Sequence, residues 1–258
     1  MRHTGLMRHM IGSDTWRRVL LGTVAAVAVI SAVVAPVDPA ASRGASCRSQ
    51  TPDHSLPYWD RQRSVTVIVD SVLLSGKPKL RQVMACRRFD FRGRPALTIG
   101  IAERELRATQ RRVAPLVVVG VGYNSLWEHD RRNYDTWAQR FDGQATHLVD
   151  TLRRLGALQI VWVTVREPNA RFLTATGRSE LHLYSWYFPY INERLRVLDE
   201  RRDDVALADW TAVSDRPGLT YDSIHLTAKG GVLMARTIRR AITAEARRQA
   251  RTSARRTP

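Results

Sequence analysis

Cysteine is scarce in this chain of 258 residues, which contains only Cys47 and Cys86. Neither cysteine has histidine or further cysteine nearby at the spacing of a metal site. Four histidines beyond residue 50 lack ligand spacing as well: His54, His129, His147 and His182. These absences argue against a metal centre, and we expect no cofactor.

Charge is missing from one hydrophobic run, residues 19–37, which follows several arginines. The run is long enough to span a bilayer and longer than most cleaved signals, but no clean cleavage site follows it. A signal peptide and an uncleaved signal anchor are therefore both open. Either one places the remaining chain outside the cytoplasm, secreted or anchored to the membrane. In that oxidising setting Cys47 and Cys86 are candidates for one disulfide, with two unpaired thiols as the alternative.

No internal repeat is visible, and the roughly 210 residues after the hydrophobic run suit one domain with a single core. We expect a monomer. The predicted organisation is a basic n-region and hydrophobic signal at 1–41, a linker and amino-terminal arm at 42–63, the folded domain at 64–245 and a basic, disordered tail at 246–258.

The chain carries a formal charge of +17, with a sequence pI near 11.1. Its arginines occur singly and in pairs rather than in one continuous block. Those toward the carboxyl end are Arg239, Arg240, Arg247, Arg248, Arg251, Arg255 and Arg256. Such a charge is often typical of proteins that bind nucleic acid, but an exported chain meets anionic envelope polymers and lipid headgroups instead. We expect those partners and no nucleic acid.

Short β-branched runs alternate with helical patterns, which predicts a parallel sheet with helices on both faces. Strands are expected at residues 65–70, 88–91, 116–119, 159–165 and 205–208. Helices are expected at 72–85, with an interruption at Gly76 and Pro78, and at 102–112, 134–155, 184–198 and 228–247. The predicted fold class is α/β, a flavodoxin-like three-layer αβα sandwich with a five-stranded parallel sheet that binds ligands at its carboxyl edge.

Two polar residues follow predicted strands. Ser71 comes directly after the first strand and begins a helical pattern, so its hydroxyl is expected at the carboxyl edge of the sheet. Asn124 ends a Gly-Tyr-Asn turn after the third strand, where its amide can donate to an oxyanion. Taken alone, the Asp-Ser pattern is more typical of an ordinary helix cap, and the Gly-Tyr-Asn pattern is equally typical of a turn.

Asp222 and His225 lie three residues apart, just before the last amphipathic helix. This spacing lets the carboxylate reach the imidazole within one turn of loop. The ring tautomer would then be fixed, and the second ring nitrogen could accept a serine proton. An isolated pair of this kind also caps helices, but together with Ser71 and Asn124 it is typical of an acyl-transfer site.

The order of these segments resembles the SGNH hydrolase (GDSL esterase/lipase) family over residues 65–241, in particular extracytoplasmic SGNH domains of the actinobacterial type. The family's blocks carry a serine, a glycine, an asparagine and an Asp-x-x-His. The resemblance implies that Ser71 is the nucleophile, His225 the general base and Asp222 its orienting carboxylate. It also implies an oxyanion hole made by Asn124 and the backbone amides of Ser71 and Gly93.

Two positions of the family pattern stay open. Gly93 is the better match for the block-two glycine, and Gly100 is the alternative. The family's Gly-Asp-Ser reads Val-Asp-Ser here, so Val69 either extends the strand or crowds the turn and narrows substrate choice. The α/β-hydrolase elbow is excluded, because it needs small residues two positions either side of the serine and this chain has Val69 and Leu73 there.

Two insertions, residues 123–133 and 166–190, lie where substrate would be recognised. Trp127, Arg166 and Glu167 are the candidate substrate-binding residues in them. Aromatic and polar side chains suit a sugar or an acyl chain, although loop aromatics also serve as packing anchors.

These patterns predict an exported serine esterase or O-acyltransferase that acts on an acylated envelope glycan or lipid through an acyl-Ser71 intermediate. The alternative is a catalytically degenerate basic protein of the same fold that binds anionic cell-envelope polymer. Val69 and the high positive charge motivate this alternative.

Overall fold

The computed structural model describes residues 53–125, 132, 134–167, 169, 171 and 186–256. The strands of this part form one parallel sheet with the order β2-β1-β3-β4-β5. They are β1 (Ser64–Val69), β2 (Arg88–Gly93), β3 (Leu116–Gly120), β4 (Gln159–Val163) and β5 (Val205–Ala208). The prediction of a five-stranded parallel sheet in an α/β fold is confirmed.

Helices connect the strands and cover both faces of the sheet. They are α1 (Tyr58–Arg61), α2 (Ser71–Ser75), α3 (Lys77–Val83), α4 (Ile99–Thr109), α5 (Tyr134–Arg154), α6 (Phe188–Arg201), α7 (Trp210–Ser214) and α8 (Ala228–Arg256). Helices α4, α5 and α6 pack side by side on one face, and α3 packs against α8 on the other. The predicted interruption at Gly76 is present, since α2 ends and α3 begins there.

The central strands are buried on both faces, which explains their apolar sequences. Every residue of β3 and β4 is buried, as is every residue of β1 after Ser64. Strands covered on both faces need apolar residues at successive positions, which is why these runs are continuous rather than alternating. Strand order reverses between β1 and β3, and in open α/β sheets such a reversal opens a crevice at the carboxyl ends.

The carboxyl end of the chain differs from the prediction of a disordered tail at 246–258. Helix α8 continues to Arg256, and its turn from Glu245 to Gln249 packs against the domain. Ala246 is buried, and Gln249 accepts a hydrogen bond from the indole N–H of Trp59 at 2.8 Å and donates one to Gln159 at 2.7 Å. The helix therefore ties the amino-terminal arm, through Trp59, to the start of β4.

The predicted signal or anchor at residues 19–37 lies outside the described residues and stays a prediction. Among the residues that are described, no helix is both long and apolar enough to cross a membrane.

Candidate active site

Ser71 is the first residue of α2 and follows the end of β1 by two positions. Asp70 caps this helix, and its Oδ1 accepts a hydrogen bond from the backbone N–H of Val72 at 3.0 Å. A buried strand that ends in Asp-Ser turns into a helix here because the aspartate supplies the cap. The hydroxyl of Ser71 is thereby placed at the carboxyl edge of the sheet.

Asp222 and His225 lie in the loop before α8. Nε2 of His225 is 2.9 Å from Oγ of Ser71, and Nδ1 is 2.5 Å from Oδ2 of Asp222. Oδ1 of the same carboxylate accepts hydrogen bonds from the backbone N–H groups of His225 at 2.7 Å and Ile224 at 3.3 Å. The three side chains form a continuous hydrogen-bonded series from carboxylate to imidazole to hydroxyl.

This series has the chemistry of an activated nucleophile. With the carboxylate accepting from Nδ1–H, Nε2 of His225 keeps its lone pair and faces the hydroxyl of Ser71. The imidazole can therefore take the serine proton during attack on a carbonyl carbon. The His225 side chain is 25% exposed, so a ligand can reach the site from solvent.

The loop that carries the histidine is held in a specific conformation. Ser223 has a φ of +79°, a left-handed conformation that is uncommon outside glycine. The backbone N–H of Tyr221 donates to the carbonyl of His225 at 3.1 Å. Ser75 of α2 accepts a hydrogen bond from the backbone N–H of Leu226 at 3.1 Å. Because Ser75 and the nucleophile share one short helix, this bond aligns the histidine loop with the serine.

The aromatic ring of Tyr221 stacks on the imidazole of His225. The two ring centroids are 5.8 Å apart, with an interplanar angle of 16°. Tyr221 is also the most exposed large hydrophobic residue of the described part, at 58%. It covers one face of the imidazole and faces solvent, which places it beside any substrate that approaches Ser71.

Asn124 lies in a turn after β3 that is closed by a hydrogen bond from the N–H of Ser125 to the carbonyl of Gly122 at 3.0 Å. The turn is anchored by Tyr187, whose hydroxyl donates to the carbonyl of Tyr123 at 2.7 Å. The amide nitrogen of Asn124 is buried, and within the described part of the chain it has no hydrogen-bond acceptor. An unpaired buried donor at this edge of the sheet can serve a developing oxyanion.

The structure separates the two candidates for the block-two glycine. Gly93 ends β2 in register with Val69 of β1, and a Cβ at this position would lie 2.0 Å from the carbonyl oxygen of Val69. Only glycine therefore fits there without a backbone shift. Gly100 lies inside α4, where a Cβ would contact Gln144 of α5. Gly93 is thus at the edge that holds Ser71, and Gly100 is at a helix contact.

Val69 belongs to β1 and is completely buried. Its side chain approaches the position that a Cβ on Gly93 would take, at 2.8 Å. The valine therefore extends the strand, one of the two outcomes left open by the sequence. The contact between Ser71 and His225 is present despite this departure from the family pattern.

Asp70 does more than cap a helix. Its side chain is fully buried, and burial raises the pKa of the carboxyl to about 7. Hydrogen bonds from backbone N–H groups lower this pKa and so oppose part of the effect of burial. The donors are Val72, Leu73, Tyr123 and Gly122. These donors come from the serine helix and from the Asn124 turn, so Asp70 joins the two parts of the site.

Arg166 is buried, with 1% of its surface exposed, and it binds the histidine loop. One guanidinium nitrogen donates to the hydroxyl of Thr220 and to the carbonyl of Ser223 at 3.3 Å. The other terminal nitrogen donates to the carbonyl of Arg216 at 3.3 Å. The backbone N–H of Arg166 donates to the hydroxyl of Tyr123 at 2.7 Å. One residue thus connects the Asn124 turn with the part of the histidine loop that precedes His225.

This placement corrects the prediction that Arg166 binds substrate, because its guanidinium points into the protein and is occupied by the loop. Glu167 is half-buried and accepts a hydrogen bond from the amide of Asn192 at 2.9 Å. Asn192 is itself buried and also pairs with the backbone N–H and carbonyl of Val165, both at 2.8 Å. These bonds fix the segment after β4 on which Arg166 is carried.

Two sequence predictions fall wholly or partly outside the described residues. Trp127 lies outside them, as does Cys47, so its pairing with Cys86 stays a prediction. The described part contains no free cysteine.

No protein-family model and no curated protein matches this chain. Solved structures do match it. The C-terminal catalytic domain of peptidoglycan O-acetyltransferase A from Streptococcus pneumoniae matches with a TM-score of 0.51 and 18% identity, over 70% of this chain and 93% of that domain. A GDSL-like lipase from Bacteroides thetaiotaomicron matches with a TM-score of 0.54 and 12% identity, over 80% of this chain and 98% of the lipase.

An acetyl xylan esterase matches with a TM-score of 0.53 and 15% identity, over 69% of this chain and 99% of the esterase. At these low identities the matches are evidence of fold. The chain has an SGNH hydrolase-like α/β fold, as the resemblance implied.

We predict that Arg166→Gln loosens the histidine loop while the fold survives, because three acceptors lose their donor and the sheet is untouched. Loss of buried hydrogen bonds of this kind costs about 1 to 3 kcal/mol in unfolding free energy. The readout is the downfield NMR signal of the His225 Nδ1 proton, which should be sharp in the parent and broadened or lost in the variant. Thr220→Val, which removes a single acceptor, should broaden it partially.

The control is Arg216→Gln. Arg216 lies in the same loop and its side chain is exposed, so only its backbone carbonyl, which the substitution keeps, bonds to Arg166. It should leave the signal sharp. A sharp His225 signal in folded Arg166→Gln would show that the loop holds its geometry without the guanidinium.

A second prediction concerns pH and Asp70. Between about pH 4 and pH 7 the folded protein holds a proton on this carboxyl that the unfolded chain has released, so rising pH removes stability across this window. Asp70→Asn cannot titrate but can still accept from the N–H of Val72. The unfolding free energy of the variant minus that of the parent should therefore increase from pH 4 to pH 7 and level off above. A difference that stays flat in urea titrations across this range would contradict burial of a protonated Asp70.

Proposed function

We propose that this protein is a serine esterase or O-acyltransferase of the SGNH type. The observation that carries the proposal is the hydrogen-bonded series Asp222–His225–Ser71, together with the unpaired buried amide of Asn124. Nucleophile, base, orienting carboxylate and an oxyanion donor are the groups that acyl transfer requires.

In the first half of the reaction, Oγ of Ser71 attacks the carbonyl carbon of an ester while Nε2 of His225 takes the hydroxyl proton. The carbonyl oxygen becomes an oxyanion that accepts hydrogen bonds from Asn124 and from the backbone N–H groups of Ser71 and Gly93. Each such donor stabilises the transition state by about 3 kcal/mol. The intermediate then breaks its bond to the alcohol oxygen, which leaves with the proton from His225, and an acyl-Ser71 ester remains.

In the second half, His225 takes a proton from an attacking hydroxyl, and Ser71 leaves with that proton. Water as the attacking group gives an esterase, and a sugar hydroxyl gives an O-acyltransferase. Asp222 stabilises the imidazolium in both halves because its carboxylate accepts from Nδ1–H.

The proposed substrate is an acylated glycan or lipid of the cell envelope. Two fold relatives are a peptidoglycan O-acetyltransferase and an acetyl xylan esterase, which by their names handle acetyl groups on polysaccharides. The hydrophobic run at residues 19–37 supports a location outside the cytoplasm, either secreted or anchored, where a Cys47–Cys86 disulfide would be stable.

The alternative function is a catalytically degenerate protein of the same fold. Val69 and the high positive charge were the reasons to consider it. The charge is compatible with either function, and the buried valine packs in β1 and leaves the serine within hydrogen-bond distance of the histidine. We therefore favour an active site.

The test is labelling by a fluorophosphonate probe and turnover of p-nitrophenyl acetate. The parent should react with the probe at Ser71, and Ser71→Ala should lose labelling and lower kcat by about 10³-fold or more, because it removes the nucleophile. Ser64→Ala, at the other end of the same strand, is the matched control and should keep both activities. An unlabelled and inactive parent would instead support the degenerate protein.

A further inference from the structure

Helix α8 has an unusual distribution of charge. Glu245 is the only acidic residue in its sequence, and this side chain is buried and paired with Arg248 at 2.7 Å. The exposed surface of the helix therefore carries positive charge without a compensating carboxylate on the same helix.

Five of the cations form a line on one face, which we call the α8 stripe. Successive members are separated by seven, four, seven and four residues, close to whole turns of an α-helix, and so lie within an arc of about 60°. The line is about 33 Å long at about 1.5 Å per residue. Its members are Lys229, Arg236, Arg240, Arg247 and Arg251.

The stripe is accessible and its charges are uncompensated. All five side chains are exposed, and within the described part of the chain none of them forms a salt bridge. The neighbouring helix α3 has no acidic residue either, and Lys79 of α3 packs beside Gly231 near the start of the stripe. An uninterrupted positive line of this length raises the local concentration of anions along it.

The stripe also leads to the active site. Lys229 follows His225 by four residues, so the line begins at the edge of the sheet that holds Ser71 and runs away from it along the domain. A polymer that lay on the stripe would have part of its length close to that edge.

We propose that the α8 stripe binds a linear polyanion, a polymer with repeated phosphate or carboxylate groups, laid lengthwise on the helix. A narrow row of guanidinium groups matches a chain of anions, and Arg is suited to both phosphate and carboxylate. This binding does not depend on the acyl chemistry, and the two can be tested separately.

Two other anionic partners fit the helix less well. An interfacial helix inserts an apolar face into lipid, but the apolar face of α8 is buried in the core through residues such as Met234, Ile238 and Ile242. Single-stranded nucleic acid is held in part by aromatic side chains that stack on bases, and α8 has no aromatic residue.

The experiment measures binding of the full chain to fluorescently labelled linear polyphosphate, at low and at physiological salt. The test variant combines Arg236→Gln, Arg240→Gln and Arg247→Gln. The matched control combines Arg104→Gln, Arg111→Gln and Arg112→Gln, three exposed arginines away from α8. We expect the parent to bind in a salt-sensitive manner and the stripe variant to lose about tenfold in affinity, with a much smaller loss in the control.

Equal losses in both variants would overturn the proposal, because affinity would then follow net charge rather than the stripe. The same variants are tested on vesicles with and without phosphatidylglycerol, and a stripe effect confined to anionic vesicles would assign the surface to the membrane instead. Turnover of p-nitrophenyl acetate should be unchanged in both variants. Loss of polymer binding with normal turnover separates this proposal from the proposed function.

Discussion

The hydrogen bond between Ser71 and His225 joins two points of the chain that are 154 residues apart. The elements that carry the two residues hold these atoms at 2.9 Å. Helix α2 places the serine where β1 ends, and the loop before α8 places the histidine, with Ser75 bonded to the loop at Leu226. A short helix and a loop would be free to shift separately in water, so the alignment depends on how each is fixed to the sheet.

That fixing is done by buried polar groups. Backbone N–H groups of the serine helix and of the Asn124 turn face the carboxyl of Asp70. The guanidinium of Arg166 donates hydrogen bonds to the histidine loop, and the backbone N–H of Arg166 donates to the hydroxyl of Tyr123. Buried charges carry a large desolvation penalty and are retained where they specify one arrangement. In this protein Asp70 and Arg166 hold the serine helix, the Asn124 turn and the histidine loop together, and the apolar core around the sheet stabilises the domain.

The sheet and the polar residues that meet at its carboxyl edge could be predicted because they depend on local patterns. Continuous β-branched runs indicate strands buried on both faces, and the ends of parallel strands meet at one edge, which is why Ser71 and Asn124 were found. The role of Arg166 could not be predicted, since its acceptors are 50 to 57 residues away in sequence. Its one local signal is a charge directly after a buried strand. The extension of α8 past residue 247 was missed for a similar reason, because Gln249 is held by Trp59, which lies 190 residues earlier.

The central claim is that the Ser71 hydroxyl becomes covalently acylated during turnover. The most direct measurement is peptide mass spectrometry on protein that has been mixed with p-nitrophenyl acetate and quenched in acid within the first turnovers. The account predicts one acetyl group on the peptide that contains Ser71 and none on any other peptide. Continued release of p-nitrophenol with no acetyl group on Ser71, or with the acetyl group on another residue, would contradict it.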